Sequence, residues 1–436
     1  MDRIVYKIAM KTKRSARFLV GSLLAVISIS CLDEFEAEIL NFESILVVDA
    51  RLTDQVKSQS IYLSRTFEFD SIPQPERNAQ VTLLNEGGTS ISFDEVEPGT
   101  YTSDVDLQLL TGESYQLQIT TQDGTAYTSD FEQVPAPVEI GGMRAIRRNS
   151  NSGVEGVAVV MDNQPDSGQP EYFRYEYEET YKIIAPDYNP REWDEVDYDF
   201  FCEDDDPWEV TVAARGEEAR TCFGSNTSVD MILASTADLG TGGLKDFEVR
   251  FLGRENFFIT HRYSILVKQY HHSTNANSFF TTLLDFSDFD SLFSNVQTGA
   301  LESNMRANGS NAPVIGYFEL SSYSERRMFF NYSDLFPNEP LPPYVINCNP
   351  VGKPRLYPEG FHVTEINGKL VPDRATNSPL MDAILAGLIG YVGENPLYQQ
   401  PGPDGEIDAA PFLVKRLGCV DCREFGSNVV PEFWIE

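Results

Sequence analysis

Between residues 44 and 134 the chain is divided into seven short β-forming segments, and turn residues mark the breaks. The segments are ILVVDARL (45–52), QSIYLSRTFEF (59–69), AQVTLLNE (79–86), TSISFDEV (89–96), GTYTSD (99–104), SYQLQITT (114–121) and AYTSDFEQV (126–134). Gly87-Gly88, Pro98-Gly99, Gly112 and Asp123-Gly124 fall between them and supply the backbone freedom that tight reversals require. Several short strands at 8 to 12 residue spacing predict a β-sandwich over residues 44–134.

PAPVEI (135–140) is a proline-punctuated boundary, and a second β region follows it: 154–162, 172–184, 208–214, 246–252 and 262–270. In FRYEYEETY strict alternation sets Phe173, Tyr175, Tyr177 and Glu179 on one side and Arg174, Glu176 and Glu178 on the other, as a half-buried strand demands. One amphipathic helix is expected at 275–295, where Phe279, Phe280, Leu283, Leu284, Leu292 and Phe293 recur near the helical period. The expected fold is therefore mainly β: an N-terminal immunoglobulin-like sandwich, then a second sandwich over 135–336 with an acidic insertion at 187–209. A loop-rich C-terminal region, rich in Pro and Gly, completes it over 337–436.

The first thirty residues have the three-part form of a secretory signal: Lys7, Lys11, Lys13, Arg14 and Arg17, an apolar stretch from Phe18 to Ile29, then Ser30. That stretch is too short to span a bilayer, which takes about 20 residues. Residues 1–30 thus read as a cleaved signal, and a start at Met10 would give an equally good one. Cys31 follows directly, in the arrangement of a bacterial lipobox, with Ser28 where Leu or Val is usual. Lipidation of Cys31 is the leading reading, and an ordinary signal that leaves a free thiol is the alternative. Two or three acyl chains, at about 0.8 kcal/mol per buried CH₂, hold a protein stably at a membrane surface. The acids Asp33, Glu34, Glu36 and Glu38 come next, so residues 31–43 read as a solvated acidic tether. MDAILAGLIGYV (381–392) is apolar but short, and reads as a core element.

The formal net charge is −34, and removing residues 1–30, with six basic residues and one acidic, leaves −39. Such a chain offers no basic face to nucleic acid or anionic lipid. A hydrophobic fraction of 41% with 12% aromatics is ample for packed cores. Beyond Cys31 the cysteines are Cys202, Cys222, Cys348, Cys419 and Cys422, disulfide candidates in an exported chain. Five cannot all pair within the chain, and their connectivity stays open. CVDC (419–422) would need a second Cys or His pair to bind zinc, and His261, His271, His272 and His362 are not spaced to provide it. As a redox motif it would sit in a βαβ unit, which is not in evidence near the C-terminus.

The acidic insertion crowds nine carboxylates into residues 192–206. Asp194, Asp197, Asp199, Asp204, Asp205 and Asp206 could serve as oxygen ligands for Ca²⁺, but they lack the twelve-residue loop and turn-making Gly of an EF-hand. A solvated loop is the plainer reading, and no resident cofactor is expected. Trp193 and Trp208, with Tyr188 and Tyr198, could form a sugar-stacking surface, with core or loop packing as the plainer account. G-x-S-x-G, H-E-x-x-H and P-loop motifs are all missing, so the expectation is a non-enzymatic protein. His271-His272, at a strand end, reads as an exposed turn.

LVVDARLTD, the block GTYTSD…GESYQLQI…DGTAYTSD, RYSILVKQYHHSTNANSFF, IGYFELSSYSERRMFFN, Cys222 in TCF, Cys348 and the terminal CVDCREFGSNVVPEFW together resemble a Bacteroidetes lipoprotein family. That family is catalogued as domain of unknown function 4249, and its members are typically encoded beside TonB-dependent outer-membrane receptors. The first block also resembles carbohydrate-binding-like and carboxypeptidase-regulatory-like sandwiches. Cys202 looks additional to the family's cysteines. The acids after Cys31 resemble the signal that sends such lipoproteins to the outer face of the outer membrane, which would make Asp33, Glu34 and Glu36 an export signal. The resemblance implies a lipid-anchored, surface-exposed accessory subunit of a TonB-dependent receptor, engaged in substrate capture or docking, with a glycan or peptide as ligand. A free-standing glycan-binding or adhesion module is the alternative.

Overall fold

The computed structural model describes residues 44–436 apart from 67–71, 73, 164–168, 199–207, 238, 240–242, 288–302, 310, 357–362, 367–368, 373–377 and 399–409. The architecture is mainly β, as the sequence predicts. The N-terminal segments form strands Leu46–Thr53, Ser60–Arg65, Gln80–Asn85, Ser90–Glu97, Thr100–Ser103, Ser114–Thr120 and Ala126–Ser129. Leu46, Val48, Ala50 and Leu52 turn inward, and meet Leu63, Leu83, Leu117, Ile119 and Phe318 in one core. Each Leu, Val, Ile or Phe among them contributes about 1.5–3 kcal/mol on full burial.

The long strand Val314–Asn331 joins this block to the next. Its first residues pair in parallel with Leu46–Thr53, from Leu46↔Val314 to Thr53↔Ser321. The rest pairs antiparallel with Arg262–His272, from His271↔Ser322 to Arg262↔Asn331. Among the described residues a single 15-stranded sheet therefore passes through both blocks. Gly316 permits the parallel seam: its φ is +117°, and a Cβ there would lie 1.9 Å from the Val48 carbonyl oxygen. At the far end of the first block, Met305–Ala307 pairs with Ala126–Ser129. Just before it, the Asn304 amide accepts from Phe318 N at 2.9 Å and donates to the Phe318 carbonyl at 2.9 Å. One side chain thus stands in for a strand backbone and links the last strand of the first block to Val314–Asn331.

In the second block, strands Gly142–Asn149, Glu155–Asp162 and Phe247–Gly253 form a sheet of their own. Val157, Val159, Met161, Val249 and Leu252 from that sheet meet Phe173, Tyr175, Ile183, Tyr263, Ile265 and Val267 from the large one in a second core. Glu179 lies on this apolar side, as alternation requires, and Arg250 answers its charge with hydrogen bonds of 3.0 and 3.1 Å. The helix spans Thr274–Ser287; the expected continuation to residue 295 lies outside the described residues.

The acidic run is not wholly a solvated loop. Arg191–Tyr198 is a strand, hairpinned with Trp208–Ala214. The loop-rich C-terminal region carries the hairpins Val363–Ile366/Lys369–Pro372 and Ile389–Glu394/Phe412–Arg416, and a helix, Pro379–Leu385, capped by Ser378. The apolar stretch 381–392 thus divides into helix and strand, both packed on a small core of Leu380, Tyr391, Phe412 and Val414.

Candidate functional site

Cys31, Asp33, Glu34 and Glu36 lie outside the described residues, as do Asp199, Cys202, Asp204, Asp205 and Asp206. Asp194 is exposed on the hairpin, and Asp197 and Trp208 take their places in its ladder opposite Glu209 and Tyr198. Trp193 is not a stacking platform. Its ring packs edge-on against Tyr391 and Phe412, and its Nε1 donates to the Ile389 carbonyl at 3.1 Å. Tyr188 packs against the second core, with Arg215 over its ring. Among the described residues no cluster of three His, Cys, Asp or Glu side chains is arranged to hold a metal.

The CVDC cysteines bond outward, not to each other. Cys422 joins Cys222 on the strand Thr221–Thr227, and Cys419 joins Cys348, with Cα–Cα distances of 5.6 and 5.7 Å. Between them Asp421 accepts from Arg215 at 3.0 Å and from Arg423 at 2.7 Å. Burial pushes its carboxyl upward, but the hydrogen bonds and charge of Arg423, with Arg215, hold it below the usual carboxylate range. This part of the chain is structural: a short helical turn is stapled to two distant segments.

The residues that could engage a ligand converge where the two blocks meet. A cleft of about 310 Å³ opens there, at the small end of the 300–1,000 Å³ range of ligand sites. One wall comes from Leu46–Thr53, Ser60–Arg65 and the turn between them: Asp49, Arg51, Lys57, Ser58, Ser60 and Tyr62. The other comes from Tyr172–Ile184 and Arg262–His272, as Arg174, Glu176 and Tyr270. Gln59, itself buried, pins the turn by donating to the carbonyls of Thr53 and Gln55 at 3.0 and 3.1 Å. Arg51 grips both oxygens of Asp49, at 2.8 and 2.9 Å. Arg174 and the Tyr270 hydroxyl share Glu176, and the guanidinium lies 4.1 Å from the centre of the Tyr270 ring. Burial, with the negative charge of Glu176, pushes the Tyr270 phenol well above its usual value.

Beneath the cleft is a fully buried carboxylate, Glu319. It accepts from Arg174 Nη2 at 3.2 Å and lies 3.2 Å from His272 Nδ1. Burial alone would raise its carboxyl; the Arg174 charge and the His272 contact outweigh that and hold it at about 2. His272 is therefore not an exposed turn residue. It is 2% exposed, with its ring tilted against that of Phe280 of the helix at 5.7 Å, while His271 meets the Ala136 carbonyl at 2.9 Å. A second opening, about 590 Å³, lies between the helix and the Asp130–Glu132 segment. Its buried carboxylate, Glu132, is already committed to Tyr317, Asn304 and Ser273.

Alternation puts Arg174 and Glu176 on the outward face of their strand, but that face is the wall of a cleft, since Leu46–Thr53 lies in the same sheet with only two strands between. Two local features of the sequence belong to it, although neither reveals it without the pairing of the distant strands. One is the pair of charge alternations Asp49-x-Arg51 and Arg174-x-Glu176; the other is Glu319 in the apolar run IGYFEL, where a buried acid requires a cation.

A comparison with curated proteins returns no match. The family model described as Domain of unknown function (DUF4249) matches residues 32–327, which include every residue of the junction cleft and of the buried pair beneath it. The CVDC segment itself lies beyond the match, while its partner Cys222 lies within it; the match covers well over half of the chain, and the chain belongs to the DUF4249 family.

Proposed function

We propose that the protein is a non-enzymatic lipoprotein of the outer membrane, anchored through acyl chains on Cys31, exposed at the cell surface and guided there by Asp33, Glu34 and Glu36. In this reading it serves a TonB-dependent receptor as an accessory subunit that captures substrate or docks on the transporter. The observation that carries the non-enzymatic part is the state of the cleft. Its two carboxylates, Asp49 and Glu176, are each held by an arginine, so they are set to hold a ligand and not to abstract a proton. The two disulfides fit a chain that matures in an oxidising compartment. Anchoring supports the partnership physically: it confines the protein to the plane of the receptor and raises effective concentration, so a weak interface suffices.

Co-purification from detergent-solubilised outer membranes, at native abundance and low salt, tests the partnership. Recovery of a TonB-dependent receptor with the chain is the expected result, and recovery of the chain alone counts against it. The second reading, a free-standing glycan-binding module, draws on the half-exposed Tyr62 ring beside the hydroxyls of Ser58 and Ser60. Direct binding of an oligosaccharide by the chain without a receptor favours that reading.

A further inference from the structure

We propose that the junction cleft binds a small polyhydroxylated carboxylate, a sugar acid of the uronate kind, with Lys57 meeting the carboxylate. The first ground is charge. In a chain of net charge −34, the cleft gathers three cations, Arg51, Lys57 and Arg174, against two acids, Asp49 and Glu176. Arg51 and Arg174 are tied to those acids, whereas Lys57 donates to the Gln55 side chain at 2.9 Å and has no carboxylate within ion-pair distance among the described residues. Partial burial and the charge of Lys268 lower its pKa, with Glu176 opposing them. An anion beside Lys57 offsets the repulsion from Lys268.

The second ground is what the rest of the cleft would do to a bare anion. Asp49 and Glu176 repel it unless the ligand also brings hydrogen-bond donors to their remaining lone pairs. Hydroxyl groups do this without displacing either arginine. An ammonium group would call for a carboxylate with unmet charge, and neither acid offers one, so a peptide fits less well than a sugar acid. Tyr62, 52% exposed at the rim, presents a flat ring to the apolar face of a pyranose, and Ser58 and Ser60 add hydroxyls. The two walls come from different blocks of the fold, and the Gln59 pin and the Arg174–Glu319 pair hold them in place before any ligand arrives.

All of these groups belong to this chain, so the inference holds whether or not a transporter is served. A failed co-purification leaves it standing, and a failed titration leaves the partnership standing. The test is isothermal titration of the purified full chain in detergent with trigalacturonate, maltotriose and trialanine. Trigalacturonate is expected to bind, more weakly as salt rises, and Lys57→Gln is expected to weaken it by roughly tenfold or more, with Lys57→Arg retaining affinity. Lys57 is exposed, so unchanged thermal unfolding of its variants shows that any loss is local. Three results overturn the proposal: no binding of trigalacturonate, equal binding of maltotriose, or undiminished binding by the folded Lys57→Gln chain. Binding of trialanine alone overturns it in favour of a peptide site.

Discussion

Replacing Arg174 by Met keeps most of the side chain's volume and removes the guanidinium that faces Glu319 beneath the cleft. Glu319 is 0% exposed, so the variant buries a carboxylate that keeps His272 beside it and the more distant charge of Arg51. Breaking one partner of a buried ion pair costs about 3–5 kcal/mol. The Glu319 carboxyl is held at about 2 where 4.5 is usual, and at 1.36 kcal/mol per unit that difference is worth about 3 kcal/mol. Because the folded-state value is depressed, this stabilisation is complete above about pH 4.5 and is lost as the pH falls toward 2. Without Arg174 the sign reverses: burial dominates, the carboxyl rises, and the folded variant takes up a proton more readily than the unfolded chain. Urea unfolding followed by tryptophan fluorescence is expected to show a loss of about 3–5 kcal/mol at pH 7 and a smaller loss at pH 4.5. Arg174→Met with Glu319→Leu, which removes both charges, is expected to recover much of the loss. A deficit below about 1 kcal/mol at pH 7, or one equal at both pH values, would refute the assignment of Glu319 as an arginine-held buried carboxylate.

Three further outcomes follow from the same structure. Replacing Cys222 and Cys422 by Ala opens a bridge across 200 residues, and replacing Cys348 and Cys419 opens one across 71; loop entropy puts the losses at roughly 5 and 4 kcal/mol, read by denaturation with and without reductant. Gly316→Ala drives a methyl group into the Val48 carbonyl and is expected to prevent folding, whereas Gly88→Ala, also at positive φ but with open space around it, costs only about 1–2 kcal/mol by thermal unfolding. Asp421→Asn removes the acceptor shared by Arg215 and Arg423 and costs about 2 kcal/mol; since its carboxyl is held low when folded, the wild-type advantage should fade on acidification below the usual carboxylate range.

The elements most legible in the sequence are those whose signal is local. Each of the seven N-terminal segments contains a strand, because inward Leu46, Val48, Ala50 and Leu52 alternate with Val47, Asp49 and Arg51, and glycine turns delimit the later ones. The strand Gly142–Asn149 left no such trace: it is an edge strand, and its Arg144, Arg147 and Arg148 are answered by acids from elsewhere in the chain. The parallel seam between Leu46–Thr53 and Val314–Asn331 was beyond reach, since a pairing across more than 250 residues leaves no pattern in either segment. For the same reason the cleft was hidden. Arg51 and Arg174 are each ordinary outward charges on their own strands, and only the seam brings them to one site. The disulfide candidates were legible as a set, while their pairing depended on where the CVDC turn docks.

Place governs function in this account, and place rests on Cys31. Mass spectrometry of the mature N-terminus, on protein recovered from its own outer membrane, reads that residue directly. A first residue Cys31 carrying two or three acyl chains is the predicted result, with residues 1–30 absent. A mature chain that begins elsewhere, or that carries Cys31 as an unmodified thiol, would contradict the anchored surface lipoprotein.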